Sequence, residues 1–304
     1  MKSYIINQEK GITLEKFISL KINVNNTFLL LMKRKKLVKV NNKHPNDYKI
    51  ILNENDVINI YLSDEMFKEE IINIPFSIIY EDNNLLVVDK KKGVLVHSAS
   101  KDNHNNLLDQ VIKYLINKGE YIPSREKEFK PALINRIDTN TVGLVLFAKN
   151  KETLNIIKDL MEKNEIKKEY LGIFLNKFIK KEDVLKDYYS FDEKNNKAII
   201  SHNKLDGFKE IITKYKVLEE KKNLSLVLVE LLTGRTHQIR AHLSFYNHPI
   251  LGDKKYGGID KKNEYNSQEL VSFRLSFLSD NLKHLNYLKN KTFISNFMPK
   301  LFEK

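Results

Sequence analysis

An α+β chain with a mostly antiparallel sheet is the architecture the sequence predicts, and three observations predict it. Many short apolar runs are bounded by turn residues, as strands are. A few stretches carry apolar residues at helical spacing. The two kinds follow each other in no strict alternation, which argues against a parallel, doubly wound sheet. The length of 304 residues suggests two domains. With 41% hydrophobic and 30% charged residues, the chain has the makings of a globular protein with a sizeable core.

Residues 1–62 read as a small α+β unit. Ile12, Leu14, Phe17, Ile18 and Leu20 recur at near-helical spacing, and Thr13 is a residue type that caps helices. A second helix is expected over 26–35, with Phe28, Leu29, Leu30 and Leu31 apolar and the basic run Lys33-Arg34-Lys35-Lys36 at its end. Strands are expected over 37–40, 48–52 and 57–61, separated by Asn41-Asn42 and Asn53-Glu54-Asn55-Asp56. Residues 63–75 are charged, then mixed, and close on Pro75, so they read as a linker.

Residues 76–304 form the second expected domain. It opens with a hairpin, Ile78-Ile79-Tyr80 and then 85–90, turning at Glu81-Asp82-Asn83-Asn84. Amphipathic helices are expected over 107–116 and 151–164, the latter with Leu154, Ile157, Leu160 and Met161 on one face. Buried strands are expected at 144–148, 167–174 and 224–232, and a half-buried one where Phe273, Leu275 and Phe277 alternate. Between 176 and 215 the chain is polar, with only 198–200 and 211–212 as short strand candidates.

Charge narrows the partners. Lys and Arg number 52 against 39 Asp and Glu, a formal net charge of +13. With a pI near 9.4 this points to an anionic partner, nucleic acid ahead of a membrane surface. Cys is absent, which excludes a disulfide framework, a thiol nucleophile and a cysteine metal site, and fits a reducing cytoplasm. Charged residues follow Met1-Lys2-Ser3-Tyr4-Ile5-Ile6-Asn7 too early for a signal-peptide core, and no apolar run reaches membrane-spanning length.

The stretch Asn135-Arg136-Ile137-Asp138-Thr139-Asn140-Thr141-Val142-Gly143 places Asp138 among turn residues at the mouth of an apolar strand. Reactive groups are often sited there, yet Asp also caps turns for purely structural reasons. A second stretch, Thr233-Gly234-Arg235-Thr236-His237-Gln238-Ile239-Arg240, changes the balance. Together with Arg136-Ile137-Asp138 it resembles the RluA/RluD-type pseudouridine synthases, which carry a His-Arg-Leu-Asp motif and a Thr-Gly-Arg-Thr-His-Gln-Ile-Arg motif. The resemblance covers about residues 76–280. It implies a pseudouridine-synthase-type sheet domain with flanking helices. It also implies an RNA uridine isomerase without cofactor or metal, acting most often on large-subunit ribosomal RNA. The first 62 residues resemble the small S-four-like RNA-binding fold, with Lys33, Arg34, Lys35, Lys36 and Lys39 as the RNA-contacting cations. No obligatory protein partner is evident, and a monomer is expected.

By this resemblance Asp138 is the catalytic carboxylate, as nucleophile or as base. Arg240 pairs with it, gripping it by two hydrogen bonds. Tyr170 lies against the target base, and Arg136 enters the RNA stack as the base flips out. Arg235, His237 and Gln238 complete the expected substrate-binding set, with two alternatives open: Arg235 as a structural residue instead of a phosphate contact, and His237 as the residue that orients the Thr233-Gly234-Arg235-Thr236 turn. His237, His242 and His248 are spaced by five and six residues, not as a zinc-binding pair on one helix face. Three positions depart from the family: Asn135 replaces His, Val142 replaces Ser, and Lys91-Lys92-Gly93 lacks the proline of Lys-Pro-x-Gly, which implies a looser loop. Those departures keep a second reading open, a non-catalytic RNA-binding or ribosome-assembly protein on the same scaffold.

Overall fold

The structure, a computed structural model, describes residues 2–7, 10–22, 29, 32–33, 36–61, 76–97, 106–123, 128–259 and 264–299. It divides into two compact units, residues 1–74 with 111–130, and residues 75–110 with 131–304. Residues 111–130 thus group with the first unit, although the sequence places them within one domain running from 76 to 304. The expected linker 63–75, Arg34, Lys35 and most of the expected second helix lie outside the described residues.

In the first unit, β1 (Lys2–Ile5), β2 (Val38–Val40) and β3 (Val57–Ile60) form an antiparallel sheet in the order β1-β3-β2. Helix α1 (Leu14–Ile22) contributes Leu14, Phe17 and Ile18 to a core completed by Ile6, Met32, Leu52, Ile58 and Ile60. The strand expected over 48–52 does not form. Its carbonyls are used elsewhere: Ile50 and Tyr48 accept the N–H groups of Leu14 and Glu15, at 2.9 and 2.8 Å. These donors have no partner inside the helix, so the segment caps α1 rather than joining a ladder. Strand β1 has no counterpart among the strands expected from the sequence.

The second unit carries an eleven-stranded sheet among the described residues. Its strands are β4 (Phe76–Glu81), β5 (Leu85–Lys90), β6 (Ala132–Leu133), β7 (Val142–Ala148), β8 (Ile166–Leu175), β9 (Glu182–Asp192), β10 (Lys197–Ser201), β11 (Lys209–Lys221), β12 (Leu224–Leu231), β13 (Leu270–Phe277) and β14 (Thr292–Ile294). The order is β10-β9-β11-β12-β8-β13-β7-β5-β4, with β14 on β13 and β6 on β7. Every pairing is antiparallel except β13 with β7. The fold is therefore α+β with a mixed, mostly antiparallel sheet, as expected.

Helix α2 (Leu107–Lys118) falls where the periodicity places it. So does α3 (Lys151–Glu162), whose N-cap Asn150 accepts the Thr153 N–H at 2.9 Å. It buries Ile156, Ile157 and Leu160 against Leu144, Leu146 and Phe277. Helix α4 (Gln238–Phe245) packs Ile239 and Leu243 onto Val227, Val229 and Leu270.

Strand β7 is an interior strand, and its residues from Gly143 to Ala148 are buried. Gly143 is the one residue that lets β13 approach in parallel. Its φ is +107°, and a Cβ there would run into the Ser272 backbone. This crossing brings the turn before β7 to the same edge of the sheet as the Tyr170 position of β8, which pairs with Ser272.

Candidate active site

Two arms of chain build the site. The first is the turn leading into β7. The Thr141 N–H donates to the Asp138 carbonyl at 3.1 Å, which closes the turn. Asn135 lies along β7: its carboxamide oxygen accepts the Leu146 N–H at 2.7 Å and its Nδ2 donates to the Leu144 carbonyl at 3.3 Å. The residue that departs from the family's His therefore tethers the arm to the strand.

Lys90, at the end of β5, is fully buried. Its ammonium donates to the Thr139 carbonyl at 2.8 Å and the Lys91 carbonyl at 3.0 Å. Burial pushes its pKa down to about 8, with the nearby Asp138 charge opposing that shift. The Gly93 N–H also donates to the Thr139 carbonyl, at 3.0 Å. The looseness expected of a loop without its proline is not what forms. Lys92 itself pins the loop, its Nζ lying 2.8 Å from the buried Glu269.

The second arm is the turn at 233–237 and the start of α4. The Thr233 hydroxyl and the Arg235 N–H donate to the Gln238 Oε1 at 2.9 and 3.0 Å. The Gln238 Nε2 donates to the Ile212 carbonyl and to Thr213 Oγ1, both at 3.1 Å. Gln238 is buried, and its whole amide is committed to this clamp. The family resemblance puts it against substrate; the geometry makes it a support of the turn. His237 has φ +58°, in the left-handed region, and opens the helix.

The arms meet at Asp138 and Arg240. Arg240 Nη1 donates to Asp138 Oδ2 at 2.7 Å. The expected two-bond grip on Asp138 is absent, because the fork of the guanidinium is turned to another carboxylate. Nε and Nη2 donate to Asp253, at 2.6 and 2.9 Å. Burial works against the Arg240 charge, but Asp253 and Asp138 outweigh it and raise its pKa further. Asp138 is 25% exposed, whereas the Asp253 side chain is only 1% exposed.

The other oxygen of Asp138, Oδ1, lies 3.9 Å from His237 Nε2, beyond hydrogen-bond length. Burial lowers the His237 pKa, with Asp138 opposing, so the imidazole is neutral at pH 7. Its Nδ1 is 3.0 Å from the Tyr256 hydroxyl, and the Arg240 guanidinium lies over the Tyr256 ring at 5.1 Å. Tyr170 is half-buried and close enough to feel the Asp138 charge. Burial raises its pKa to about 12, so its hydroxyl keeps its proton at neutral pH.

Arg136 and Arg235 are exposed. In the first unit, Lys33 is exposed and 3.4 Å from Asp47, Lys36 is exposed, and Lys39 lies over the Tyr61 ring at 5.7 Å. The three histidines weighed above as metal ligands part company. His237 faces Asp138, His242 is bound to Asp187 at 2.9 Å, and His248 stacks on Phe178 at 3.7 Å. Among the described residues no group of His, Asp or Glu is set to hold a metal.

Sequence reasoning missed Asp253, Tyr256, Asp187 and Thr213. Asp253 and Tyr256 stand in the same run as the second motif, in Gly252-Asp253-Lys254-Lys255-Tyr256-Gly257, which reads from sequence only as a turn. Nothing in the local sequence marks Asp187 or Thr213.

Residues 84–245 match the family described as RNA pseudouridylate synthase. A protein of Mycoplasma capricolum subsp. capricolum, named an uncharacterized RNA pseudouridine synthase, is 34% identical over 97% of this chain and 98% of its own length. The ribosomal large subunit pseudouridine synthase D of Borreliella burgdorferi is 32% identical over 76% of this chain and 67% of its own. Among solved structures, human RNA pseudouridylate synthase domain containing 4 superposes with a TM-score of 0.56 at 22% identity, covering 74% of this chain and 90% of that one. That likeness concerns the fold.

Proposed function

Because this chain belongs to the RNA pseudouridylate synthase family and is an RNA pseudouridine synthase, an isomerase, we propose that it converts uridine in large-subunit ribosomal RNA, with Asp138 as the catalytic carboxylate. The large-subunit target follows the names of relatives such as the Borreliella protein. One observation carries the assignment of Asp138. It is a partly exposed carboxylate ion-paired at 2.7 Å to a buried arginine from a distant segment, with its second oxygen unbonded to that arginine.

The reaction breaks the bond between ribose C1′ and uracil N1 and forms one between C1′ and C5. The C5 proton is lost and N1 gains one, so no oxidant or group donor is required. Asp138 acts on the ribose as nucleophile or as base. Either role needs an ionised carboxylate with one oxygen free. Arg240 donates to Oδ2 and leaves Oδ1 to the substrate. Tyr170, protonated, packs against the base and offers its hydroxyl. Arg136 fills the space the flipped nucleotide leaves. His237 and Arg235 line the entry.

The first unit serves as the RNA-docking domain through Lys33, Arg34, Lys35, Lys36 and Lys39, with residues 63–75 as linker and 76–304 as the catalytic domain. The enzyme works as a monomer in the cytoplasm. No helix among the described residues is long and apolar enough to cross a membrane.

The test is release of tritium from uracil C5 in a mixture of unmodified ribosomal and transfer RNA transcripts. Release in proportion to enzyme, greatest from the large-subunit transcript, is expected. Tight binding without release would favour the RNA-binding or assembly role instead.

A further inference from the structure

Arg240 serves two carboxylates unequally. The buried Asp253 takes the Nε–Nη2 edge with both oxygens, at 2.6 and 2.9 Å, the geometry in which guanidinium and carboxylate interlock best. The more exposed Asp138 receives only Nη1, at 2.7 Å. A guanidinium free of Asp253 has every reason to turn that same edge to Asp138 and bind both its oxygens. The stronger grip thus falls on the carboxylate that cannot meet a ligand.

Asp253 does not need its carboxylate to hold its own turn. The backbone already does so: the Asp253 N–H donates to the Ile250 carbonyl at 3.0 Å, and the Gly258 N–H to the Asp253 carbonyl at 2.8 Å. Gly258 fits there because a Cβ would strike the Ile250 carbonyl. The same turn supplies Tyr256. Its hydroxyl accepts the Ala198 N–H at 2.7 Å and so has its own proton to give to His237 Nδ1 at 3.0 Å. That bond puts the imidazole proton on Nε2, facing Asp138 Oδ1 across 3.9 Å.

We propose that Asp253 is the positioning residue of this site: by occupying the forked edge of Arg240 it prevents a two-oxygen grip on Asp138, and so makes Oδ1 the reacting oxygen. The proposal rests on the reading of Asp138 as the catalytic carboxylate.

The experiment uses the full chain and tritium release from the same RNA mixture, measured at saturating and at limiting RNA for wild type, Asp253→Asn, Asp253→Glu and Asp138→Ala. Asp253→Asn sets an NH2 against an Arg240 donor and frees the fork. Its maximal rate is expected to fall about 100-fold, the cost of misplacing a reacting group by an ångström, with RNA affinity within about threefold, since phosphates dominate binding. The KM for RNA should stay within the same threefold, so that the loss falls on kcat alone. Asp253→Glu keeps a carboxylate for the fork and should recover part of the rate. A wild-type rate in Asp253→Asn overturns the proposal. So does a loss carried by KM or by RNA affinity, the mark of a merely structural change, and if Asp253→Asn does not fold, an Asp253→Glu protein that folds but is no more active than Asp138→Ala overturns it as well. Turnover in Asp138→Ala instead sinks the reading on which the proposal rests, and identifies that failure separately.

Discussion

The two arms that meet at the Asp138–Arg240 pair are held by different forces. The arm entering β7 rests on main chain: an interior buried strand, a parallel crossing at Gly143, and carbonyls that accept from Lys90 and Gly93. The arm leading into α4 rests on side chains. Gln238 clamps the turn and reaches Thr213, Thr213 Oγ1 meets His242 Nδ1 at 2.8 Å, and His242 Nε2 meets Asp187 at 2.9 Å. Tyr246 donates to Asp187 as well, at 2.7 Å, and His202 approaches it at 2.7 Å. Ladder bonds do not titrate in the working pH range. The first arm has one titrating anchor, the Lys90 ammonium with its pKa near 8, whereas the second is held by side chains throughout, so single substitutions should disturb the second arm more.

Asp187→Ala should have the largest effect on the fold. It leaves the buried His242 and the half-buried Tyr246 without an acceptor, at a cost of roughly 3 kcal/mol. That corresponds to a melting temperature lower by roughly 5–10 °C, with turnover falling as α4 and Arg240 shift. Calorimetry and tritium release on one preparation check both. A melting point within a degree of wild type would show that the two arms are not differently held.

The pH dependence follows from the same network. Burial opposes ionisation of Asp187, but the His242, Tyr246 and His202 contacts outweigh it and lower its pKa. Its contribution is present above the ordinary value near 3.9 and is lost as pH falls below it. Burial lowers the His242 pKa, with Asp187 opposing. A histidine neutral when folded gains a proton on unfolding, so stability drains as pH falls below about 6.5. Both signs agree: thermal stability should decline from about pH 6.5 downward. Asp187→Ala removes the charge that opposes the lowering of the His242 pKa, so the loss below about pH 6.5 should be deeper in the variant than in wild type. A shallower decline in the variant would place the sensitive group elsewhere.

Lys90→Met probes the first arm with a smaller effect and an unusual pattern. The buried ammonium donates to two carbonyl oxygens, and an apolar side chain of similar length avoids its desolvation cost. The melting temperature should not fall. Turnover should drop about tenfold, because Thr139 beside Asp138 loses an anchor and small misplacements are costly. A melting point down by several degrees with full turnover would reverse the roles assigned to this lysine.

Smallest in effect on chemistry is charge reversal at Lys33, Arg34, Lys35 and Lys36. Turnover at saturating RNA should persist, while the log–log salt slope of binding falls by about 0.7 to 0.9 for each phosphate the protein no longer neutralises. A slope equal to wild type would assign the run to a solvated helix end.

The contrast between the arms also explains what is legible in the sequence. The first arm uses apolar runs and turn residues, which place β5, β7, α3 and β12 within a few positions. The motifs name Asp138 and Arg240 because those residues lie in short, contiguous signatures. The second arm depends on residues far apart in the chain. Strands β9 and β11, of 11 and 13 residues, are largely illegible because polar residues interrupt their inward faces. Asp187 and Thr213 point inward where an apolar residue would have marked the alternation, and they do so to serve His242. The grip on Arg240 escapes the sequence for the same reason. A motif tells which arginine meets Asp138 but not that Asp253, thirteen residues on, takes its forked edge. In the first unit, Ile50, Ile51 and Leu52 look like a strand, while their backbone caps and brackets α1.

The most direct test of the central claim is single-turnover tritium release by Asp138→Asn, with RNA binding measured on the same protein. The amide keeps the size and polarity of the side chain and removes its charge, and neither Asn135, Lys90 nor Gly93 depends on that carboxylate for its bonds. The account predicts no detectable release, RNA affinity within about threefold of wild type, and an unchanged melting temperature. Release near the wild-type rate would contradict it, and would mean that the carboxylate paired with Arg240 is not the one that does the chemistry.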